Sequence, residues 1–90
     1  MTENAVIVPN KLGIHARPAA LIVRAAVEYD SEVWIESPAD KVNAKSIMGV
    51  MTLAASGGTS VTVSAEGSDE QEAVDAVSEV IRSGFGEEML

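Results

Sequence analysis

His15 is the only imidazole in the chain, and there is no cysteine. That excludes thiolate nucleophiles, disulfides and cysteine metal centres. A zinc site built on one histidine would need three carboxylates, so no metal is expected. The chemistry left over is that of a lone ring nitrogen, and its neighbours say which. In "LGIHARPAA", residues 12–20, Gly13 lies two positions before His15, Arg17 lies two after, and Pro18 follows the arginine directly. Proline is accepted in a helix only in the first turn, where its missing N–H has no intrahelical partner to lose. The spacing of Ala19, Leu21, Ile22, Val23 and Ala26 predicts a helix from Ala16 to about Val27. His15 then sits at its N-cap or one residue off.

The first N–H groups of a helix lack intrahelical acceptors and carry partial positive charge. They disfavour an imidazolium, and a neutral ring keeps a lone pair for nucleophilic attack. A phosphoryl group accepted there would be a dianion at a helix N-terminus, within reach of the N–H groups of Ala16 and Arg17. The Arg17 guanidinium would add charge-assisted hydrogen bonds, and Gly13 would let the backbone approach closely. The plainer reading is that His15 merely caps the helix. Spacing alone leaves both open.

The elements that must position this segment follow from periodicity. Residues 4–8, "NAVIV", read as a first strand rich in β-branched side chains. "EVWIE", 32–36, alternates Val33 and Ile35 against Glu32, Trp34 and Glu36, which marks a strand with one buried face. A turn at Ser37–Asp40 leads to a short strand at 41–44 that completes a hairpin. "SIMGVMTLAA" predicts a short second helix with Ser46 as N-cap and Ile47, Val50, Met51 and Ala54 on one face. "SVTVSAE" alternates again, with Val61, Val63 and Ala65 inward. "Ser68-Asp69-Glu70-Gln71" reads as a capping box for a last helix, whose stripe is Ala73, Val74, Val77, Val80 and Ile81 and whose stop is Gly84. The order β-α-β-β-α-β-α predicts an α+β open-faced sandwich: a four-stranded antiparallel sheet with three helices on one face.

Ninety residues suit one domain, residues 1–90. "MTENAV" carries no basic stretch of the kind that opens a secretory signal, and no apolar run is long enough to span a bilayer. A cytoplasmic protein is expected. The net charge of -8 repels phosphates, so nucleic acid and anionic membrane are poor partners. The charge is uneven: Lys11, Arg17, Arg24 and Lys45 lie in the N-terminal half, whereas residues 66–90 hold only Arg82. Clustered, those four would make a positive patch suited to a small anion or an acidic protein surface.

"GIHARPAA" resembles the active-site segment of the HPr family, the histidine-containing phosphocarriers of the bacterial sugar phosphotransferase system. "KSIMGVMTLAA", residues 45–55, is similar to the regulatory serine segment of the same family. Two motifs in register, with matching length and element order, extend the resemblance over nearly the whole chain. It implies a covalent phosphocarrier rather than an enzyme with its own turnover. It implies that His15 takes phosphate on Nδ1 from phosphorylated enzyme I and passes it to IIA components of sugar permeases, with Arg17 as phosphate-binding partner. It also implies phosphorylation of Ser46 by HPr kinase/phosphorylase; a monomer without cofactor is expected. Leu12 departs from the pattern, because some members carry a small polar residue there; Asn10 or Lys11 would have to supply the polar contact.

Ser46 has a local explanation as a helix cap, compatible with a regulatory role. A phosphate at a helix N-terminus is locally favourable, so its effect would fall on partners. The second helix is apolar nearly all round, which means burial or a docking surface. Methionines suit a surface that must fit several partners. Ile47, Met48 and Met51 are therefore expected to be partly exposed near His15, with Ala20 and Arg24 continuing the patch along the first helix. Two rival readings share these residues. One is a nitrogen-branch phosphocarrier, which the ending "SGFGEE" favours and the intact "KSIMGVMTLAA" disfavours. The other is a regulatory module acting through phosphorylated Ser46, a class in which the histidine is typically lost.

Overall fold

Val33 and Ile35 on one strand, and Val61, Val63 and Ala65 on another, must be buried together, and the sheet is built around them. The computed structural model describes all 90 residues. Its strands are β1 (Thr2–Ile7), β2 (Glu32–Glu36), β3 (Lys41–Asn43) and β4 (Ser60–Glu66), and its helices are α1 (Ala16–Ala26), α2 (Ile47–Thr52) and α3 (Glu70–Arg82). A 3-10 turn at Gly84–Gly86 follows α3. The sheet has four strands in the order β1-β4-β2-β3. Every neighbouring pair is antiparallel, with Val6 opposite Val61, Ile35 opposite Val63 and Trp34 opposite Asn43. The two cleanly alternating segments are thus its central strands. The expected element order and open-faced sandwich are found.

The helices cover the face that carries Val33, Ile35, Val61, Val63 and Ala65, all of them buried. α1 contributes Ala19, Ile22 and Ala26, and α3 contributes Ala73, Val74, Val77 and Ile81 to the same core. Fully burying a side chain of Val or Ile size is worth about 1.5–3 kcal/mol. The central strands therefore set the register firmly, since a one-residue slip would expose the whole apolar set.

The structure corrects the expected detail in four places. β1 begins at Thr2 and ends at Ile7; Val8 lies beyond it, buried, and donates its N–H to the Thr59 carbonyl. α2 stops at Thr52, and its buried side is Val50 and Leu53. Ile47, Met51 and Ala54 are exposed, because α2 packs mainly along its contacts with α1 and β3. The capping box is not formed: Asp69, not Ser68, is the N-cap of α3, and it makes no side-chain cap. Its carboxylate instead accepts from the Asp30 and Ser31 N–H groups and from the Ser31 hydroxyl. These bonds tie the α1–β2 loop to the head of α3 and, Ser31 Oγ first, hold the carboxyl's pKa below the usual carboxylate range. Finally, Val80 is only half-buried, and Ser78 takes the buried position beside Val77.

Candidate functional site

His15 is placed by the loop before it. Gly13 has a φ of +70°, and a Cβ built on it would lie 2.3 Å from the Ala55 carbonyl oxygen. Only glycine fits that approach. It lets the Ile14 N–H donate to Ala55 O at 2.8 Å, and the buried Ile14 side chain anchors the segment. His15 follows as the N-cap of α1, with extended backbone (φ -95°, ψ -164°). Its ring does not cap the helix. Ala16 and Arg17 open α1, so their N–H groups have no acceptor within it, and both residues are exposed. Pro18 is buried in the same first turn, as the sequence requires.

The ring instead meets a residue far away in the chain. His15 Nε2 lies 2.8 Å from Glu87 Oε2 and 3.0 Å from Oε1. Arg17 reaches the same segment: its Nη1 donates to the Phe85 carbonyl at 2.7 Å and lies 3.4 Å from Glu87 Oε2. Asn10, fully buried, donates from Nδ2 to Gly13 O at 2.9 Å and to Glu87 Oε1 at 3.0 Å. Leu12 itself is 74% exposed, and of the two polar neighbours considered for its place Asn10 faces the Glu87 carboxylate while Lys11 pairs with Glu88. The hydrogen bond from His15, then the one from Asn10 and the charges of His15 and Arg17, hold the Glu87 carboxyl below its ordinary pKa against the opposing effect of burial. Glu87 is therefore ionised at neutral pH.

Glu87 is carried there by the chain's end. Gly84 and Gly86 take φ of +73° and +72°, and Phe85 between them is buried. Beyond the turn, Lys11 N–H donates to Glu88 O, Leu90 N–H donates to Pro9 O, and Asn10 bridges Met89. Lys11 Nζ also pairs with Glu88 at 2.9 Å. The expected basic patch is accordingly partly neutralised by the tail, and Lys45 spends its Nζ on the Tyr29 carbonyl at 2.7 Å. Arg24 is exposed, makes no ion pair, and lines an open groove of about 490 Å³ between α1 and α3 with Leu21, Val80 and Phe85. The sequence reading missed Glu87. The signal for it was the acidic pair after "SGFG", a two-glycine turn that reverses the chain after α3.

Ser46 is the N-cap of α2, and its Oγ accepts from Gly49 N–H at 3.0 Å. Met48 is 77% exposed, Ile47 45% and Met51 43%, while Ala20 is half-buried on α1, which packs against α2. No group of three histidine or carboxylate side chains is placed to hold a metal ion. No helix is long and apolar enough to cross a membrane.

A solitary, half-exposed histidine at the head of a helix on an open-faced sandwich defines the histidine phosphocarrier type of site. Comparison with known proteins shows the family. The family model described as "PTS HPr component phosphorylation site" matches residues 2–83. The chain is 52% identical over 77 residues to the HPr-like protein Crh of Halalkalibacterium halodurans, covering 86% of this chain and 92% of that protein. It is 46% identical over 88 residues to the phosphocarrier protein HPr of Xylella fastidiosa, covering 98% and 99%. The crystal structure of HPr-C-His from Thermoanaerobacter tengcongensis superposes with a TM-score of 0.91 at 52% identity, covering 99% of this chain and all of that one. A crystal structure of an HPr dimer from the same organism matches at a TM-score of 0.76 and 52% identity, covering 97% and 100%. The chain belongs to the HPr family of phosphocarrier proteins.

Proposed function

We propose that this chain accepts a phosphoryl group on His15 from phosphorylated enzyme I and passes it to IIA components of sugar permeases in the cytoplasm. The observation that carries the reading is the half-exposed His15 ring at the open N-terminus of α1 with Arg17 two residues on. A ring-nitrogen lone pair attacks the phosphorus, the bond from phosphorus to the donor group breaks, and the donor leaves with that electron pair. The N–H groups of Ala16 and Arg17 and the Arg17 guanidinium then take the phosphoryl oxygens. Arg17 has N–H groups to spare, since only Nη1 is engaged with Phe85 and Glu87. All these groups come from one chain, and the reading takes a monomer without cofactor as the working unit. The docking face is Ile47, Met48 and Met51 on α2 with Ala20 and Arg24 on α1.

Incubation with purified enzyme I and phosphoenolpyruvate tests this. Wild type should gain one acid-labile phosphate and His15→Ala none. A wild type that takes no label, or a variant that keeps it, would sink the reading.

A second role rests on the intact Lys45–Gly49 segment and the likeness to Crh. Ser46 is phosphorylated by HPr kinase/phosphorylase and modulates partner choice. Acid-stable phosphate on wild type and none on Ser46→Ala would support it. A purely regulatory module would function unchanged as His15→Ala, and a nitrogen-branch carrier would deliver phosphate to a regulatory partner but not to a IIA component.

A further inference from the structure

We propose that Glu87 is a positioning residue that fixes the His15 tautomer, keeping the proton on Nε2 so that Nδ1 presents the lone pair. This deepens the phosphocarrier reading above and rests on it for its consequence, though not for its geometry. Both Glu87 oxygens lie within 3.0 Å of Nε2. An ionised carboxylate is an acceptor only, so the ring nitrogen facing it must be the donor. A neutral imidazole has one donor and one acceptor nitrogen, so Nδ1 is the nucleophile. The carboxylate is itself aimed, by Asn10 Nδ2 at 3.0 Å and by the tail that the Lys11 and Leu90 N–H groups hold to the 9–11 loop. Glu87 is the better buried of the pair, with 16% of its side chain exposed against 41% for His15.

The arrangement also suits the transfer step. When Nδ1 bonds phosphorus and Nε2 keeps its hydrogen, the ring becomes cationic, and the new charge develops directly against Glu87. The contact with Glu87 is made by Nε2 alone, which leaves Nδ1 to the incoming phosphoryl group. The logic is that of a carboxylate orienting a histidine whose other nitrogen does the chemistry.

Two-dimensional ¹⁵N–¹H NMR of the His15 ring, at a pH where the ring is neutral, reads the tautomer directly. Wild type should be the Nε2–H form. In Glu87→Ala the ratio of Nδ1–H to Nε2–H should rise about tenfold, the low end for losing a charge-assisted hydrogen bond at a half-exposed ring. Glu87→Gln keeps the shape of the tail, and its amide can donate to Nε2, so it should shift the ratio at least as far. With enzyme I, kcat should fall about tenfold in both variants while KM stays unchanged, and Glu87→Asp should recover part of it. ³¹P NMR should place the wild-type phosphate on Nδ1. An unchanged tautomer ratio in both variants, or a wild-type phosphate on Nε2, would overturn the assignment of Glu87. Failure of wild type to accept any phosphate would instead overturn the carrier reading, and the tautomer measurement would still decide what Glu87 does to the ring.

Discussion

Replacing Gly13 with alanine separates two reasons for a glycine, because Gly58 provides a built-in control. Both have positive φ, +70° and +90°. At Gly58 a Cβ would meet only the Leu90 Cδ1 atom, at 3.7 Å. Gly58→Ala therefore costs only the left-handed backbone strain, about 1 kcal/mol. At Gly13 the same strain applies, but a Cβ would also lie 2.3 Å from Ala55 O and 2.7 Å from Ser56 Cα. Backbone has to move, and the Ile14 N–H to Ala55 O bond is the first loss, worth about 0.5–1.5 kcal/mol. Displacing the buried Ile14 adds to it, so Gly13→Ala should cost about 2–4 kcal/mol. Urea unfolding of the two variants beside wild type measures the difference, and in thermal unfolding each kcal/mol appears as about 4–8 °C for a domain of this size. Gly13→Ala should also slow phosphoryl transfer far more than Gly58→Ala, because His15 moves with the loop. Equal costs for the two substitutions would show that backbone crowding at Ala55 does not set the position of the loop.

Four further outcomes are expected. Ser46→Ala should lose about 1 kcal/mol with its cap. Ser46→Asp should keep native circular dichroism yet raise KM for enzyme I, with a defect that shrinks as salt screens the repulsion; a salt-independent defect with lost helix signal would mean structural damage instead. Arg17→Ala should slow transfer by about ten- to a hundredfold and lower stability by only about 0.5–1 kcal/mol through the freed Phe85 carbonyl, checked by transfer kinetics against urea midpoint. Asp69, Glu70 and Glu87 all have lowered pKa values when folded, led by hydrogen bonds from Ser31, Thr2 and His15 respectively. Their contribution is full above the ordinary carboxylate value of about 4 and is lost as pH falls through the lower folded values; Asp69→Asn should flatten that acid limb in a series of urea titrations.

The fold was legible where one side of an element is buried. Glu32–Glu36 and Ser60–Glu66 are strands over the residues whose alternation marks them. Pro18 and Gly13 located the head of α1, and with it His15, because each residue tolerates few backbone conformations. α2 was legible as a helix but not in its facing, since Ile47, Val50, Met51 and Leu53 are all apolar and only packing against α1 and β3 selects Val50 and Leu53. Asp69 and Glu87 were illegible for a shared reason. Each carboxylate bonds a partner distant in sequence, 38 residues away for Ser31 and 72 for His15. Local patterns report helix periodicity and caps; the glycine turn at 84–86 shows that the chain reverses, but not which residue the following carboxylates meet.

Trp34 turns the open face of the sheet into an instrument. It is the only tryptophan. It points away from Val33 and Ile35, toward the side without helices, half-exposed, with Lys41 Nζ 5.2 Å from its ring centre and Ser64 opposite in register. Loss of the β2–β3 and β2–β4 pairings strips that environment, so indole fluorescence is a native reporter of unfolding. Partners that dock on the helix layer leave it untouched. An intrinsic emission signal should therefore follow the stability of every variant above, and docking of the proposed partner on the helical side calls for a label placed there.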